Sequence, residues 1–327
     1  MAQTSEVERL KNLLANASHV GLLTHVNPDG DAIGSLLGLF WALREAGHQV
    51  SIACVDPVPE SYSFLPGAQE LTDRFPESVD LAISVDAASL DRTSKKDSVI
   101  SSVLHVNIDH HISNTNFADL DIISPQASAT AEILTELIPA IGLDISIQVA
   151  ECLLTGIVSD TIGFSTSSTS TRTLRAAQIL MEAGADLTAI YKKSLNQRSF
   201  EAIQLWGESF GALQREDGLI WTRLSLEAKM RAGYAGLGDA DVTNLLRTVS
   251  DIEVAVILIE RPNGDIKISW RSMDGLDVST IATSFGGGGH AAAAGTTIGN
   301  STLAAAEDLV LARTRLALQE HRKNRSA

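Results

Sequence analysis

One stretch near the amino terminus constrains this chain more than any other: the apolar residues 20–23 are followed closely by His25, Asp29 and Asp31. An apolar run that ends in a polar turn is typical of a buried strand reaching the edge of a sheet. In open α/β sheets, ligands bind at that edge, beyond the carboxyl ends of the strands. A histidine with two carboxylates suits a divalent cation such as manganese, iron, zinc or magnesium. The alternative is an ordinary polar turn, because Asn, Pro, Asp and Gly are common turn residues.

Three further apolar segments end in the same kinds of side chain. Two of them resemble strands, one followed by Asp86 and the other by Asp109, His110 and His111. The third resembles a helix and is followed by Asp160. A parallel sheet places the carboxyl ends of its strands on one edge, so these side chains can converge with the first group. A single Asp after a strand is usually a helix cap or a turn residue. The recurrence, together with the His pair, favours one shared site.

The composition predicts a two-domain globular protein. The chain has 327 residues, 44% of them hydrophobic, which is enough apolar material for two cores. Its formal net charge of −15 argues against sequence-independent binding of duplex nucleic acid, which needs a basic face. Cys54 and Cys152 lie in apolar segments and are expected to be buried thiols. Because no long apolar segment and no signal sequence is visible, we expect a cytoplasmic protein that does not bind membranes.

Helix and strand patterns alternate through the first half of the chain. Strands are predicted at 20–25, 50–55, about 80–86 and 103–109, and helices at 6–16, 32–46, 129–138, 145–159 and 171–182. This alternation indicates βαβ units and a largely parallel sheet flanked by helices. We therefore predict an α/β fold, with a metal-binding domain over residues 1–186.

The pattern changes after residue 186. Residues 187–210 are polar and helical and are predicted to be a connecting helix or hinge, with a surface helix of the first domain as the alternative. Beyond them, strands are predicted at 219–224, 252–259 and 266–271, the last two joined by a hairpin turn. Helices at 278–285 and 303–321 complete a smaller α+β domain over residues 211–327.

A second unusual string, four glycines and a histidine followed by four alanines, covers residues 286–294. Glycines lack a Cβ atom, so a ligand can come close to their backbone N–H groups. The alanines suit either the start of a helix, whose N-terminus attracts anions, or a segment packed too tightly for larger side chains. We predict an anion site with Arg271 as a second cationic donor and with a phosphate held by Gly287, Gly288, Gly289 and His290. The alternative for the glycine run is a flexible hinge, and the alternative for Arg271 is an ordinary surface arginine.

Taken in order, these motifs resemble those of the DHH phosphoesterases, a family named for the sequence seen here as Asp109-His110-His111. The group from His25 to Asp31, then Asp86, then Asp160, look like its other metal motifs. The glycine run with His290 looks like the signature of the DHHA1 domain, which follows in one subfamily. The resemblance covers nearly the whole chain, and its two-domain length is similar to that of the bacterial group acting on nanoRNA and pAp. The spacing after Asp160 departs from the commoner Asp-Thr-Gly.

The resemblance implies a site for two divalent ions, usually manganese, with magnesium or cobalt as alternatives. The implied ligands are His25 and Asp29 for one ion, Asp31, His110 and Asp160 for the other, and Asp86 as a bridge. Asp109 would orient a neighbouring histidine, and His111 would face the scissile phosphate. The nucleotide is expected between the domains, with residues 187–205 as a hinge.

The function implied is hydrolysis of short 5′-phosphorylated oligonucleotides, of pAp, or of both. Expected partners are a small nucleotide or a short single strand of RNA or DNA, without duplex nucleic acid, and a homodimer is left open. Cyclic-dinucleotide phosphodiesterase activity is an alternative that uses the same site. Inorganic pyrophosphatase activity is disfavoured because it gives the glycine loop no use. A non-enzymatic nucleotide sensor is disfavoured because every metal motif is filled.

Overall fold

The computed structural model describes residues 4–74, 79–93, 102–236 and 238–326. The chain divides into two compact units, Met1–Gln197 and Arg198–Ala327. Across the described ranges, the first unit contains a five-stranded parallel sheet and the second a six-stranded mixed sheet. The α/β class predicted from the sequence is confirmed, with a second sheet-containing domain at the carboxyl-terminal end.

The first unit alternates strands and helices. Its strands are β1 (His19–Leu23), β2 (Gln49–Ala53), β3 (Leu81–Val85), β4 (Leu104–Asp109) and β5 (Leu120–Ile123). Its helices are α1 (Thr4–Asn16), α2 (Gly30–Glu45), α3 (Leu90–Thr93), α4 (Thr130–Ala140), α5 (Ile147–Asp160), α6 (Thr171–Glu182) and α7 (Leu187–Tyr191). The helices predicted near 6–16, 32–46, 129–138, 145–159 and 171–182 correspond to α1, α2, α4, α5 and α6.

The order of the strands reverses at one point of this sheet. The order is β2-β1-β3-β4-β5, with parallel pairing throughout. From β1 the chain adds β2 on one side and later β3 on the other, so the strand order reverses between β1 and β3. Ligands bind at such a reversal point, outside the carboxyl ends of the strands. Leu23 and Val85 end these two strands and lead directly into the first two groups of predicted ligands.

Helix α2 is apolar on nearly all sides and is buried along most of its length. A helix that is hydrophobic all round belongs in a core or in a membrane. Here it lies in the core of the first unit. Within the described ranges, no helix has the length and apolar composition needed to cross a membrane.

Two glycines permit the close contact between α2 and α5. A Cβ atom on Gly34 would lie 2.5 Å from the carbonyl oxygen of Cys152. A Cβ atom on Gly156 would lie 2.7 Å from Oδ1 of Asp31. These distances are too short for non-bonded atoms, so larger residues would force the helices apart. The packing of the two helices is thereby linked to the position of a predicted metal ligand.

The second unit contains the remaining elements. Its strands are β6 (Gln214–Glu216), β7 (Leu219–Leu224), β8 (Val254–Glu260), β9 (Ile266–Ser272), β10 (Gly288–His290) and β11 (Ala293–Ile298). Its helices are α8 (Phe200–Gly211), α9 (Leu226–Ala232), α10 (Val242–Leu246), α11 (Val278–Thr283) and α12 (Leu303–Ser326). The hairpin predicted around residues 261–265 joins β8 to β9, which pair in antiparallel fashion.

Both faces of the second sheet are covered. Its order is β10-β11-β9-β8-β7-β6. Neighbouring residues of β8 face opposite sides, because side chains alternate along a strand. Val256 packs in a core with Trp270, and Ile257 packs in a different core with Leu205. The mixed sheet is therefore buried between two layers.

Residues 187–210, which the sequence predicts as one helix, are interrupted. Helix α7 ends at Tyr191, a π-helical turn follows over Lys192–Asn196, and α8 begins at Phe200. Ser199 caps α8, since its hydroxyl accepts a hydrogen bond from the N–H of Ala202 at 3.2 Å. A side-chain cap satisfies the first N–H groups of a helix, so a new helix begins here.

The alanines after His290 begin a strand, so the helix start considered from the sequence is wrong. Strands β10 and β11 form a tight hairpin in which His290 pairs with Ala293. Hydrogen bonding along β11 to β9 decides the conformation of the alanines. The short elements β5, β6, β10, α9 and α10 also escaped the sequence analysis, because periodicity cannot be recognised over so few residues.

We predict that Gly34→Ala destabilises the protein by about 1–3 kcal/mol, the usual cost of forcing an extra carbon into a packed core. The measurement is the free energy of unfolding in urea. Gly207→Ala is the control, because Gly207 lies inside α8 and a Cβ there would have no heavy atom within 4 Å. It should be neutral or stabilising by up to about 1 kcal/mol. Equal destabilisation by both variants would contradict the packing argument.

Candidate active site

The turn after β1 positions three of the predicted ligands. His25 and Asp31 are buried, whereas the side chain of Asp29 is 55% exposed. Asp29 is the N-cap of α2, and its Oδ1 accepts hydrogen bonds from the N–H groups of Asp31 and Ala32 at 3.1 and 3.0 Å. The cap fixes this carboxylate near the imidazole of His25, whose Nε2 lies 4.0 Å from Asp29 Oδ1.

Asp86 lies at the centre of the site. It follows β3, the middle strand, and its φ of 59° is an uncommon left-handed value for a residue other than glycine. Its Oδ2 lies 3.5 Å from Nε2 of His25. Its Oδ1 lies 3.6 Å from Nε2 of His110 and accepts a hydrogen bond from Oγ1 of Thr130 at 2.9 Å. The two oxygens of one buried carboxylate therefore face two different groups of side chains.

The potential metal donors form three overlapping groups, in each of which the donor atoms lie within 4.8 Å of one another. The groups are His25, Asp29 and Asp86; Asp31, His110 and Asp160; and Asp86, His110 and His111. All six side chains that the sequence proposed as ligands thus lie together. Asp86 and His110 each belong to two of the groups, and His111 also lies within reach.

Two of the histidines direct the same ring nitrogen toward the carboxylates. Nδ1 of His25 lies 2.8 Å from the carbonyl oxygen of Val26, and Nδ1 of His110 lies 3.3 Å from that of Ala127. A proton on Nδ1 satisfies each carbonyl and leaves Nε2 as the atom with a free lone pair. This arrangement is typical of metal-binding histidines, whose second nitrogen is held by a carbonyl or carboxylate.

Asp109 holds the second histidine of the pair in a different orientation. Its buried Oδ1 accepts hydrogen bonds from the N–H of His110 at 2.8 Å and from ring Nδ1 of His111 at 2.7 Å. Oδ2 accepts a further hydrogen bond from Nδ2 of Asn114 at 2.6 Å. Although burial opposes it, the hydrogen bond with Asp109 raises the pKa of His111 to about 9. In the described residues, no partner is recorded for Nε2 of His111.

Several carboxylates are crowded into this site. Burial raises the pKa of Asp31 well above its usual value, and the negative charges of Asp86 and Asp160 add to the effect. Burial likewise raises the pKa of Asp160 to about 7. Burial acts on Asp86 in the same direction, but a hydrogen bond with His25 and the positive charges of the histidines hold its pKa at about 2. Buried like charges are costly unless cations accompany them, so this crowding favours bound metal.

Helix α4 also contributes to the site, which no sequence motif indicates. The N–H of Thr130 donates to Asp31 Oδ2 at 2.6 Å, and the N–H of Ala131 donates to Asp31 Oδ1 at 3.0 Å. The hydroxyl of Thr130 holds Asp86, so one helix N-terminus supports two carboxylates. No local pattern signals this contact, because Thr130 and Asp31 are 99 positions apart.

In the second unit, two predicted substrate-binding residues lie in one row of the sheet. Arg271 on β9 pairs with Ala293 on β11, and Ala293 pairs with His290 on β10. Directly opposed residues of antiparallel strands point to the same face, so Arg271 and His290 share a face at about 10 Å, the width of two strand spacings. Nη1 of Arg271 donates to the carbonyl of Trp270 at 2.9 Å, and His290 is exposed.

The glycines before His290 have different structural roles. A Cβ atom on Gly287 would lie 2.3 Å from the carbonyl oxygen of Gly295, and one on Gly289 would lie 2.6 Å from that of Ala293. The hairpin therefore requires these two glycines whether or not a ligand binds. A Cβ on Gly288 would have no heavy atom within 4 Å, so this position leaves open space beside the strand.

Comparison with known proteins identifies the family. The model of the DHH family N-terminal domain matches residues 19–157, and the DHHA1 domain model matches residues 237–317. The bifunctional oligoribonuclease and PAP phosphatase NrnA of Thermus thermophilus is 34% identical over 293 residues, which cover 89% of this chain and 87% of that protein. The chain belongs to the DHH family, as its motifs predicted, and it carries a DHHA1 domain.

Two further proteins are similar to this chain. The crystal structure of an exopolyphosphatase-related protein from Bacteroides fragilis has a TM-score of 0.91, with 25% identity over 100% of this chain and 99% of that one. The cyclic-di-AMP phosphodiesterase PdeA of Listeria monocytogenes is 27% identical over 92% of this chain, but the match covers 48% of PdeA. The likeness to the first extends over both units.

The donor set fits divalent metal ions. It combines imidazole nitrogens with carboxylate oxygens, a mixture that suits manganese, magnesium or zinc and offers no thiolate. Both cysteines are buried, and Cys54 and Cys152 donate to backbone carbonyls instead. Membership of the DHH family supports the same dependence on divalent metal.

We predict that Asp86→Ala abolishes metal binding at both donor groups and lowers activity by about 100-fold or more. Replacing a residue that merely holds a metal ligand in place already lowers metal affinity or activity by about 10–100-fold. Bound manganese is measured by elemental analysis after desalting. Asp80→Ala is the control: Asp80 lies just before the same strand, and its carboxylate accepts hydrogen bonds from the N–H groups of Ser18 and His19. That variant should keep its metal. Full metal content in Asp86→Ala would contradict the scheme.

Proposed function

We propose that this protein is a two-metal phosphoesterase that hydrolyses short 5′-phosphorylated oligonucleotides and pAp. The observation that carries the proposal is the position of Asp86, whose two oxygens face His25 on one side and His110 on the other. Bridging by a shared carboxylate is how two cations are held at the short separation used in phosphoryl transfer. The names of the relatives at 34% and lower identity supply the substrate class.

The two donor groups would each hold one ion. We assign His25 and Asp29 to the first, Asp31, His110 and Asp160 to the second, and Asp86 to both. Manganese is the ion we propose, with magnesium or cobalt as substitutes. When bound, such a pair supplies an activated water and neutralises the charge that develops on the phosphoryl oxygens.

His111 is assigned to the substrate instead of to an ion. Its Nδ1 is engaged with Asp109 at 2.7 Å, so Nε2 is the ring nitrogen left for the substrate. The high pKa given by Asp109 keeps the ring protonated, and a protonated ring is a hydrogen-bond donor and not a metal ligand. We propose that Nε2–H donates to the phosphate and then to the leaving oxygen. Asp109 positions this ring.

The second unit is proposed to bind the non-reacting end of the nucleotide. Arg271 and His290 lie in one row on one face of its sheet, and both side chains can donate to a phosphate. Gly288 leaves room for a ligand beside them. The net charge of −15 disfavours binding of a long polyanion, which favours short substrates.

A second candidate activity is hydrolysis of cyclic or linear dinucleotides, favoured by the similarity to PdeA. The same ligands would serve it. A product analysis with manganese separates the two: pAp, 5′-phosphorylated dinucleotide, longer RNA, cyclic dinucleotide and pyrophosphate are compared at equal concentration. The proposal expects pAp and the linear dinucleotide to be hydrolysed fastest. Preference for the cyclic dinucleotide or for pyrophosphate would replace it.

We predict that His111→Ala keeps its metal and loses turnover by about 100- to 10,000-fold, the usual contribution of a general acid. Bound manganese and kcat are measured on the same preparation. His48→Ala is the matched control, because His48 lies directly before β2 and outside the donor groups, and this variant should retain both. Parallel loss of metal and activity in His111→Ala would show that His111 is a ligand.

We predict that activity falls as the substrate lengthens. Wild type, His290→Ala and the control His321→Ala are compared on 5′-phosphorylated RNA from the dinucleotide upward. His290→Ala should raise KM for short substrates about 10-fold, as expected for a lost hydrogen bond to a charged group, while metal content is unchanged. A wild-type rate that stays constant or rises beyond about ten nucleotides would indicate a processive exonuclease instead.

A further inference from the structure

Arg92 lies beside the metal ligands, although the sequence motifs do not include it. It belongs to α3, the short helix that follows Asp86. Its carbonyl oxygen accepts a hydrogen bond from the N–H of Val26 at 2.7 Å, and its N–H donates to Ser89 at 3.1 Å. The backbone of Arg92 is therefore tied to the same turn that carries His25.

The side chain of Arg92 points at the site. Nη2 lies 3.3 Å from Nδ1 of His25. Its charge also reaches His111: burial lowers the pKa of that ring most strongly, Asp109 and Asp86 raise it, and Arg92 lowers it slightly. Among the described residues, no carboxylate forms a salt bridge with this guanidinium, and no other lysine or arginine is recorded in contact with the site residues. Arg92 thus brings a partly buried positive charge that none of the described carboxylates holds in an ion pair.

The contact with His25 does not satisfy the hydrogen-bonding groups of the Arg92 guanidinium. Its Nδ1 also lies 2.8 Å from the carbonyl oxygen of Val26, which needs a proton on Nδ1. If Nε2 faces an ion, Nδ1 must carry that proton, because a neutral imidazole has one donor and one acceptor. A protonated Nδ1 cannot accept a hydrogen bond from Arg92. The N–H groups of the guanidinium are then available to another acceptor.

A phosphate group of the substrate is the acceptor that best fits this site. An approaching phosphate meets the carboxylates of Asp29 and Asp160, both of which reach solvent. A guanidinium beside them offsets this repulsion and matches two oxygens of a phosphate in fork geometry. We propose that Arg92 binds the non-bridging oxygens of the phosphoryl group that is hydrolysed. This inference rests on the proposed phosphoesterase function.

Arg92 and Arg271 would then serve different phosphates. Arg92 belongs to the same unit as the metal ligands and addresses the reacting phosphate. Arg271 and His290 belong to the second unit and are assigned to the distant end of the nucleotide. Loss of Arg92 should therefore weaken the reaction of every phosphodiester, including bis(p-nitrophenyl) phosphate, which lacks a nucleoside and a second phosphate.

The experiment compares Arg92→Gln and Arg92→Lys with wild type and with Arg74→Gln. Arg74 is an exposed arginine of the same unit, so its replacement removes the same charge away from the site. For each manganese-loaded protein we would measure bound metal, the Kd for inorganic phosphate by calorimetry, and kcat/KM for bis(p-nitrophenyl) phosphate and pAp. The phosphate titration reports binding without turnover.

The proposal expects Arg92→Gln to keep its manganese, to bind phosphate about 10- to 100-fold more weakly, and to lose kcat/KM on both substrates by a similar factor. Arg92→Lys should recover part of the loss, because lysine keeps the charge without the fork. Arg74→Gln should match wild type.

Two results would overturn the proposal. Unchanged phosphate affinity in Arg92→Gln would show that the guanidinium does not touch the phosphate. Loss of manganese in that variant would show that Arg92 positions His25 instead. If wild type binds phosphate but hydrolyses neither pAp nor short RNA, the proposed function fails while the phosphate titration still decides the role of Arg92.

Discussion

The site depends on one buried carboxylate placed between two strands. Asp86 ends the central strand β3, with β1 on one side and β4 on the other. His25 therefore reaches it from the turn after β1, and His110 from the turn after β4. The left-handed backbone of Asp86 is a local cost of about 1–3 kcal/mol that surrounding structure must offset. Because β3 lies between β1 and β4, a carboxylate at its end lies next to the turns that follow both of these strands.

The scaffold around Asp86 is built to hold negative charge. The N-terminus of α4 donates two N–H groups to Asp31 and a hydroxyl to Asp86. Gly156 leaves the space that the Asp31 carboxylate occupies. Fixing several carboxylates before any ion arrives removes the ordering cost from metal binding, at the expense of repulsion in the metal-free protein. The positive charge of Arg92 at the rim extends the same logic to the substrate.

Much of the site could be predicted from the sequence, because the ligands follow apolar segments and a parallel sheet brings the ends of its strands to one edge. The α/β fold class could be predicted from the alternation of strand and helix patterns in the first half of the chain. The contact between Thr130 and Asp31 could not be predicted, since pairing across 99 positions leaves no local pattern. The hairpin after Gly287 was missed because tertiary pairing with β9 overrode the helical preference of its alanines. None of the sequence motifs includes Arg92, and its distance from His25 distinguishes it.

The central claim is that Asp86 bridges two ions. Electron paramagnetic resonance of the manganese-loaded protein tests it directly, because two ions about 3.5–4 Å apart with a shared carboxylate are magnetically coupled. The account predicts a broad, exchange-coupled spectrum that reaches its maximum at two manganese ions per chain. It also predicts that the sharp six-line signal of isolated manganese contributes little at that loading. Saturation at one ion per chain with an isolated six-line spectrum would contradict the bridged pair.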